Sequence, residues 1–256
     1  MTVITYLFIF IIGTVLGSFY GVVGTRLCEE KSIINPRSYC PKCKHSLAWY
    51  DLIPILSYAF NLGRCRYCHE KISFFYPFIE IMTGTLFCIA FRLYGPNINV
   101  NLIISLLLFS LTIIIFISDF NYYIILDSPL VITSISVFIL RWISNGYKKA
   151  LLFVLYGLVL FLCMLLVKKI GDFLFKKESL GGGDIKLAFV VGIILGIKLG
   201  LCALILSSFL ALPYALMKVY LSEKKEVPFG PFIISACTIV FLFMPKFINL
   251  LNYLFN

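Results

Sequence analysis

Two aspartates, Asp119 and Asp184, have the surroundings that most suit chemistry. Asp119 comes directly after the apolar run 102–118. Asp184 follows three glycines, 181–183, at the start of another apolar run. A carboxylate partly withdrawn into a bilayer is costly, so an ionisable residue there is a candidate functional group. Two carboxylates held close can act together on a water molecule, one as base and one as acid. The pair therefore predicts the chemistry of an aspartic protease.

The residues alone leave simpler interpretations of these aspartates open. Each could mark the end of a helix, and Asp184 suits the N-terminal end, where the macrodipole stabilises a negative charge. Asp119 lies at the C-terminal end of its predicted helix, where the macrodipole disfavours a carboxylate. The glycine triplet could instead bind phosphate, but it lacks the preceding strand, the Lys-Ser/Thr ending and the spacing of a P-loop.

Composition indicates the elements that must position these residues. The 256-residue chain is 61% hydrophobic and 13% charged, with a mean hydropathy of +1.00. A soluble domain of this size has too little interior for so much apolar surface, whereas lipid can cover it. The formal net charge is +10, but Lys and Arg cluster between apolar runs, as expected for attraction to lipid head groups. We therefore expect membrane lipid as a partner and no nucleic acid.

The apolar runs predict an all-α, polytopic membrane helix bundle of about eight transmembrane helices. A helix needs about 17–25 residues to cross the hydrocarbon core. The first run lacks a basic segment and a cleavage pattern, which favours a retained span over a signal peptide. The predicted spans are 3–24, 77–94, 98–118, 128–143, 150–167, 185–198, 200–219 and 229–254.

Basic residues assign the two faces of the membrane. Lys and Arg concentrate in the segment 25–76, in residues 168–186 and in residues 218–225, which eight spans place on one side. Loops rich in Lys and Arg are cytoplasmic. Asp119 and Asp184 fall at similar depth on this same side, so the candidate active site is predicted to face the cytoplasm.

A small cysteine module is predicted within the polar segment 25–76. CPKC and CRYC give the spacing C-x2-C-x21-C-x2-C. Two such knuckles can complete a four-sulfur zinc site, whereas two disulfides are disfavoured in a reducing compartment. Free thiols remain the other alternative. His45 and His69 are expected at the surface, and the other five cysteines in packing roles. The predicted zinc ligands are Cys40, Cys43, Cys65 and Cys68.

Several motifs, in order along the chain, match one known family. ISDFNYYIILD places Asp127 eight residues after Asp119, and LGGGDIKL contains Asp184. The chain resembles the bifunctional prepilin leader peptidase/N-methyltransferases of the GxGD aspartic protease class over nearly its whole length. The other matching segments are GSFYGVVGTRL at 17–27, the cysteine segment 40–68 with ISFFYPFIE at 72–80, and VPFGPF at 227–232.

The resemblance implies a membrane aspartic endopeptidase in which Asp119 and Asp184 are catalytic and Asp127 is less essential. Such enzymes cleave the leader of type IV prepilins or pseudopilins after a glycine on the cytoplasmic side. They then methylate the new N-terminus with S-adenosylmethionine. The implied location is the bacterial cytoplasmic membrane. The implied domains are 1–24, the first transmembrane helix; 25–76, the cysteine module linked to N-methylation; and 77–256, the peptidase bundle.

Some residues depart from the family pattern. Leu126 stands where proline is usual, which removes no catalytic group, and Gly21 replaces a common asparagine in the segment grouped with methylation. The chain has no G-x-G-x-x-G, so S-adenosylmethionine is implied by resemblance only. Gly63 and Glu80 are the candidate cofactor contacts on the same basis.

Three other functions remain as alternatives. The chain could be a peptidase without methyltransferase activity. It could be a transporter or proton-coupled channel, for which carboxylates near the middle of spans and paired half-repeats are expected. It could also be a scaffold whose zinc loop docks a partner, in which case both aspartates would tolerate substitution.

Overall fold

A computed structural model describes residues 3–95, 97–221 and 227–255. Lys224 and Lys225, which the charge distribution placed on the basic side, lie outside this range. Within it the chain forms nine α-helices and no strand, so the predicted all-α bundle is confirmed. The helices are α1 Val3–Arg26, α2 Leu56–Phe60, α3 Phe75–Tyr94, α4 Val100–Tyr122, α5 Asp127–Asn145, α6 Tyr147–Phe175, α7 Gly182–Leu221, α8 Gly230–Leu242 and α9 Met244–Phe255.

The chain divides into two compact units, Met1–Leu102 and Ile103–Asn256. In the first unit α3 packs against α1. A Cβ added to Gly13 would lie 2.7 Å from Gly84 Cα, and one added to Gly17 would lie 2.7 Å from Thr83 Oγ1. Small residues four apart let membrane helices approach closely. Helix α3 and the cysteine module lie in the same compact unit, and the predicted division of activities along the chain stays a prediction.

In the second unit α7 packs against α6 and α8. A Cβ on Gly192 of α7 would lie 2.6 Å from Gly157 Cα of α6, again a close crossing of two small residues. The core side chains that are almost fully inaccessible come mostly from α4, α7 and α8, and include Leu108, Phe109, Ile117, Leu187, Val191, Ile233 and Val240.

Helix α7 folds back on itself at Gly196. That residue has φ 80° and ψ −176°, which no helix contains. Lys186 contacts Asp127 and Lys218 contacts Tyr123, although a straight helix would separate the two lysines by about 48 Å. A Cβ on Gly200 would also lie 3.7 Å from Val191 Cγ1, so the two halves pack together. The predicted division between 185–198 and 200–219 therefore corresponds to a real break in the helix.

The last predicted span, 229–254, is not one straight helix. It is broken into α8 and α9, which meet at an angle of 85°. The cause is Pro245, the second residue of α9, because proline cannot continue a preceding helix. Among the described residues six helices are long and apolar enough to cross a membrane, or seven if the bent pair is one span. The predicted count of about eight is reached when the two halves of α7 are also counted separately.

Replacing Gly196 by alanine should destabilise the protein. The backbone conformation at Gly196 is one that residues with a Cβ avoid, so we expect a cost of about 1–3 kcal/mol and a lower Tm in detergent. Gly182→Ala is the matched control in the same helix, because a Cβ there meets no atom of the described residues within 4 Å. Equal melting temperatures for the two variants would contradict the role assigned to Gly196.

Candidate active site and metal centre

Asp119 lies in the last turn of α4 and is only 5% exposed. Its Oδ2 accepts a hydrogen bond from the backbone N–H of Gly230, the first residue of α8, at 3.0 Å. The free N–H groups at the start of a helix carry partial positive charge and favour an anion. The beginning of α8 therefore supplies the polar contact that Asp119 lacks at the end of its own helix.

Asp184 lies in the first turn of α7 and is 8% exposed. The backbone N–H of Gly181 donates a hydrogen bond to its carboxylate. The other oxygen, Oδ1, is buried and has no hydrogen-bond partner among the residues that the structure describes. Buried polar atoms are nearly always paired, so an unpaired carboxylate oxygen here suits contact with a water molecule or a substrate.

The structure brings these two predicted residues together. The Asp119 carboxylate lies within electrostatic range of Asp184. A Cβ on Gly183 would lie 2.7 Å from Ile125 Cβ, and one on Gly230 would lie 2.7 Å from Ile125 Cδ1, so Ile125 joins the surroundings of both aspartates. Two carboxylates at short range favour sharing a proton, which leaves one as base and one as acid.

Aromatic rings hold the helix ends around Asp119. Phe120 of α4, Tyr214 in the second half of α7 and Phe232 of α8 pack mutually, with ring centroids 5.7–6.4 Å apart. Deeper in the bundle the hydroxyls of Thr112 and Thr238 are 3.1 Å apart and link α4 to α8. These contacts fix the start of α8, and with it the N–H of Gly230, against the end of α4.

Asp127 occupies a different setting from the buried pair. It begins α5, and its side chain is 62% exposed. Both of its carboxylate oxygens accept hydrogen bonds from Lys186 Nζ, at 2.7 and 2.8 Å. A carboxylate already paired with a lysine at the surface is poorly suited to activate water, in keeping with the less essential role expected for Asp127.

The four predicted zinc ligands also come together. The Sγ atoms of Cys40, Cys43, Cys65 and Cys68 all lie within 4.8 Å of one another. A tetrahedral zinc site with Zn–S bonds of about 2.3 Å has sulfur–sulfur edges of about 3.8 Å. The Sγ atoms of Cys40 and Cys68 are 3.8 Å apart, so the sulfur cluster fits a zinc ion.

Both knuckles have the same local structure. In each, the N–H of the first cysteine bonds to the carbonyl five residues later, and the residue after the second cysteine is left-handed: Lys44 with φ 59° and His69 with φ 57°. Each knuckle is closed by an isolated β-bridge, Tyr39 to Ser46 in the first and Arg64 to Lys71 in the second. The paired cysteines are thus presented by a repeated turn.

Backbone N–H groups donate hydrogen bonds to the sulfurs of Cys40 and Cys68, and this affects the pKa of each thiol. The N–H groups of Cys43 and Lys42 lower the pKa of Cys40 to about 7. At Cys68 the N–H of Glu70 acts in the same direction, but desolvation and hydrogen bonds with the neighbouring thiols prevail and raise the pKa to about 12. Four clustered thiols therefore cannot all ionise on their own, whereas a bound dication stabilises all four as thiolates.

Asp51 joins the second knuckle to the turn Trp49–Leu52. Its side chain is 6% exposed, and it accepts from Tyr67 Oη at 3.0 Å and pairs with Arg66 Nε at 3.1 Å. Tyr67 in turn stacks on His45, with ring centroids 3.7 Å apart. The residues between the cysteines of the second knuckle thereby contact both the turn Trp49–Leu52 and the first knuckle. His45 is exposed, as expected.

Gly63 and Glu80 lie on either side of α2. Glu80 is buried in α3, and its Oε2 accepts from the N–H of Ile55 at 2.8 Å, just before α2 begins. Gly63 has φ 68°, and a Cβ there would lie 2.8 Å from Tyr58 Oη. Both residues have local structural roles, and a ligand that contacts both would lie against residues 55–63. Their cofactor contacts stay predictions.

Comparisons with known proteins agree over most of the chain. One family model, described as the bacterial peptidase A24 N-terminal domain, matches residues 11–94, and another, the type IV leader peptidase family, matches residues 106–216. A Bacillus subtilis protein named prepilin leader peptidase/N-methyltransferase is 34% identical over 246 residues, covering 94% of this chain and 95% of its own length.

The chain belongs to the type IV leader peptidase family. A Vibrio cholerae relative of the same name is 32% identical over 92% of this chain and 96% of its own length. A Myxococcus xanthus relative is 35% identical over 72% of this chain and 54% of its own length. No solved structure matches the chain. The predicted family membership is thus confirmed.

Two residues of this candidate site, Gly230 and Ile125, were not predicted from the sequence. The segment VPFGPF was noted as a family motif, but nothing indicated that the N–H of Gly230 bonds to Asp119. Ile125 was not singled out. The available signal was the glycine at 230, since a glycine at a helix start beside a buried carboxylate permits close backbone approach.

Loss of a buried zinc ligand should remove the metal. We expect about one zinc per purified chain, and none in Cys65→Ser, because a hydroxyl replaces one of four thiolates. Cys163→Ser, which changes a cysteine of α6 that is not one of the four clustered residues, is the matched control and should keep its zinc. Elemental analysis measures the content. Full zinc occupancy in Cys65→Ser, or none in the parent protein, would show that the cluster is not a zinc site.

Gly230→Ala should impair leader cleavage. The added Cβ would lie 2.8 Å from Asp119 Oδ2 and 2.7 Å from Ile125 Cδ1, so the carboxylate must shift. A displacement of this kind can reduce kcat on the order of 100-fold. Gly21→Ala serves as control, because a Cβ at that position meets none of the residues that the structure describes within 4 Å. Parental cleavage by Gly230→Ala would contradict the geometry described for Asp119.

Proposed function

We propose that this chain is a membrane aspartic endopeptidase with a second, N-methyltransferase activity. It removes the leader of type IV prepilins or pseudopilins after a glycine and then methylates the new N-terminal residue. The observation that carries the peptidase proposal is the buried pair Asp119 and Asp184. Each member accepts a glycine N–H, and Asp184 Oδ1 has no hydrogen-bond partner within the part of the chain that the structure describes.

The pair has the groups that peptide hydrolysis requires. In this proposal one carboxylate is ionised and takes a proton from a water molecule, which attacks the scissile carbonyl carbon. The other is protonated and donates a hydrogen bond to the carbonyl oxygen, which stabilises the charge that develops there. Collapse of the tetrahedral intermediate breaks the C–N bond, and the leaving amine takes up a proton.

The positions of the carboxylates favour this function over a transporter. Asp119 lies in the last turn of α4 and Asp184 in the first turn of α7. A carboxylate that carries ions or protons across a bilayer is expected closer to the middle of a span. Helix ends instead place the pair where a peptide segment that leaves the membrane can reach it.

The cysteine module is proposed to serve the methyltransferase activity. Cys40, Cys43, Cys65 and Cys68 would hold a structural zinc ion that fixes both knuckles of the segment 25–76. S-Adenosylmethionine would supply the methyl group, with Gly63 and Glu80 as candidate contacts on either side of α2. Peptidase activity is assigned to the bundle that follows, within residues 77–256.

The proposed location is the bacterial cytoplasmic membrane, with the active site facing the cytoplasm. Support comes from the concentration of Lys and Arg in the segment 25–76 and in residues 168–186, because such loops stay on the cytoplasmic side. Membrane lipid would cover the many exposed apolar side chains of the helices, such as Val131, Ile135, Leu162 and Leu166.

Asp119→Asn and Asp184→Asn should each abolish leader cleavage. An amide can neither take a proton from water nor share one with its neighbour. The assay incubates a prepilin with each variant in membranes and follows the shortened product, with protein level measured in parallel. Glu29→Gln, at an exposed surface position paired with Lys31, is the matched control. Parental cleavage by either aspartate variant would refute the peptidase assignment.

Mass spectrometry of the product tests the second activity in the same samples. A new N-terminus heavier by one methyl group when S-adenosylmethionine is present supports the bifunctional enzyme. An unmethylated product from an active peptidase would instead establish the alternative of a peptidase without methyltransferase activity.

A further inference from the structure

The connection between α4 and α5, residues 123–126, runs beside both aspartates. Its residue Ile125 contacts Gly183, which precedes Asp184, and Gly230, whose N–H binds Asp119. A hypothetical Cβ on Gly230 would lie 2.7 Å from Ile125 Cδ1 and 2.8 Å from Asp119 Oδ2. Ile125 Cδ1 and Asp119 Oδ2 thus both border the position that a Cβ on Gly230 would take, and they leave no room for a methyl group there.

Both ends of this connection are fixed by lysines of α7. Lys218 Nζ donates to Tyr123 Oη at 2.7 Å, and Lys186 Nζ donates to both oxygens of Asp127 at 2.7 and 2.8 Å. Tyr123 also has a left-handed backbone, with φ 57°, which sets the direction of the chain after α4. The two lysines come from opposite halves of α7, so the connection is held from both sides.

Ile125 is therefore held in place, and its side chain forms one wall of the candidate active site. Isoleucine is branched at Cβ and stiff at χ1, and here its side chain packs against the two glycines Gly183 and Gly230. Ile125 is also partly exposed, so part of its surface remains available to a bound peptide.

We propose that Ile125 is a specificity-determining residue that limits the size of the substrate residue immediately before the scissile bond. This inference rests on the proposed peptidase function. The carbonyl of that residue must come within hydrogen-bond distance of the catalytic pair, about 2.6–3.2 Å. Its α-carbon then lies next to the carbonyl, beside the Ile125 wall. A glycine fits this narrow space, whereas a β-carbon meets the Ile125 side chain.

A purely structural role for Ile125 predicts a different result. If its only task were to position Gly183 and Gly230, a smaller side chain would slow cleavage of every substrate by the same factor. A wall that excludes a β-carbon predicts instead that a smaller side chain changes the ratio of rates between substrates. The two roles are separated by kcat/KM measured for two prepilins that differ only in that residue.

The experiment compares the parent enzyme, Ile125→Val and Ile125→Ala on prepilins with glycine or alanine before the cleaved bond. Removing one carbon in Ile125→Val, or three in Ile125→Ala, should raise the alanine-to-glycine ratio of kcat/KM, by about tenfold or more in Ile125→Ala. Ile124→Ala is the matched control, because Ile124 is the exposed neighbour and should keep the parental ratio.

An unchanged ratio in a variant that still cleaves the glycine prepilin would overturn the inference. If Ile125→Ala is inactive because the segment loses its packing, Ile125→Val decides, since it lacks only the Cδ1 methyl and should keep the fold. A raised alanine-to-glycine ratio in Ile125→Val supports the size-limiting role of Ile125, and a parental ratio refutes it. Failure of the parent enzyme to cleave the glycine prepilin would instead refute the proposed function, so the two failures are distinguishable.

Discussion

Two carboxylates buried at the ends of membrane helices must find hydrogen-bond donors within the protein. An unsatisfied charge in a low-dielectric interior is costly, and water is scarce there. This chain supplies backbone N–H groups of glycines, Gly181 for Asp184 and Gly230 for Asp119. Because glycine has no Cβ, each N–H can approach its carboxylate closely. Much of the second compact unit serves to hold these donors in place.

That requirement accounts for several features of the second unit. The fold-back of α7 at Gly196 returns Tyr214 and Lys218 to the end of α4, where Tyr214 packs on Phe120. The aromatic cluster and the contact between Thr112 and Thr238 then fix α8 and its first N–H.

The cysteine module meets a separate requirement. It is too small for a large apolar core, and the four sulfurs, together with the stacking of Tyr67 on His45, hold its two knuckles together.

Features encoded by local pattern could be predicted from the sequence. Apolar runs gave the membrane helices, the spacing of cysteines gave the four-sulfur cluster, and flanking residues singled out Asp119 and Asp184. The division of residues 185–219 was also foreseen, because a single helix of that length with three glycines was implausible. The bend at Phe243 was missed, although Pro245 was the available signal.

Contacts between residues distant in the chain could not be predicted. The hydrogen bond from Gly230 to Asp119 joins residues 111 positions apart, and no periodicity records it. Ile125 is one of many isoleucines in sequence, and only its contacts with Gly183 and Gly230 distinguish it. The packing of α3 on α1 likewise depends on Gly13 meeting Gly84, and Gly17 meeting Thr83, across about 70 residues of sequence.

The central claim is that Asp119 and Asp184 form one catalytic centre, and the most direct test is whether their contributions are additive. When two residues act as a unit, the enzyme loses about the same activity whether one of them or both are replaced. Residual cleavage rates of Asp119→Asn, Asp184→Asn and the double variant, measured over long incubations, should therefore be the same. A double variant slower than either single variant by the product of the two separate losses would contradict a shared centre.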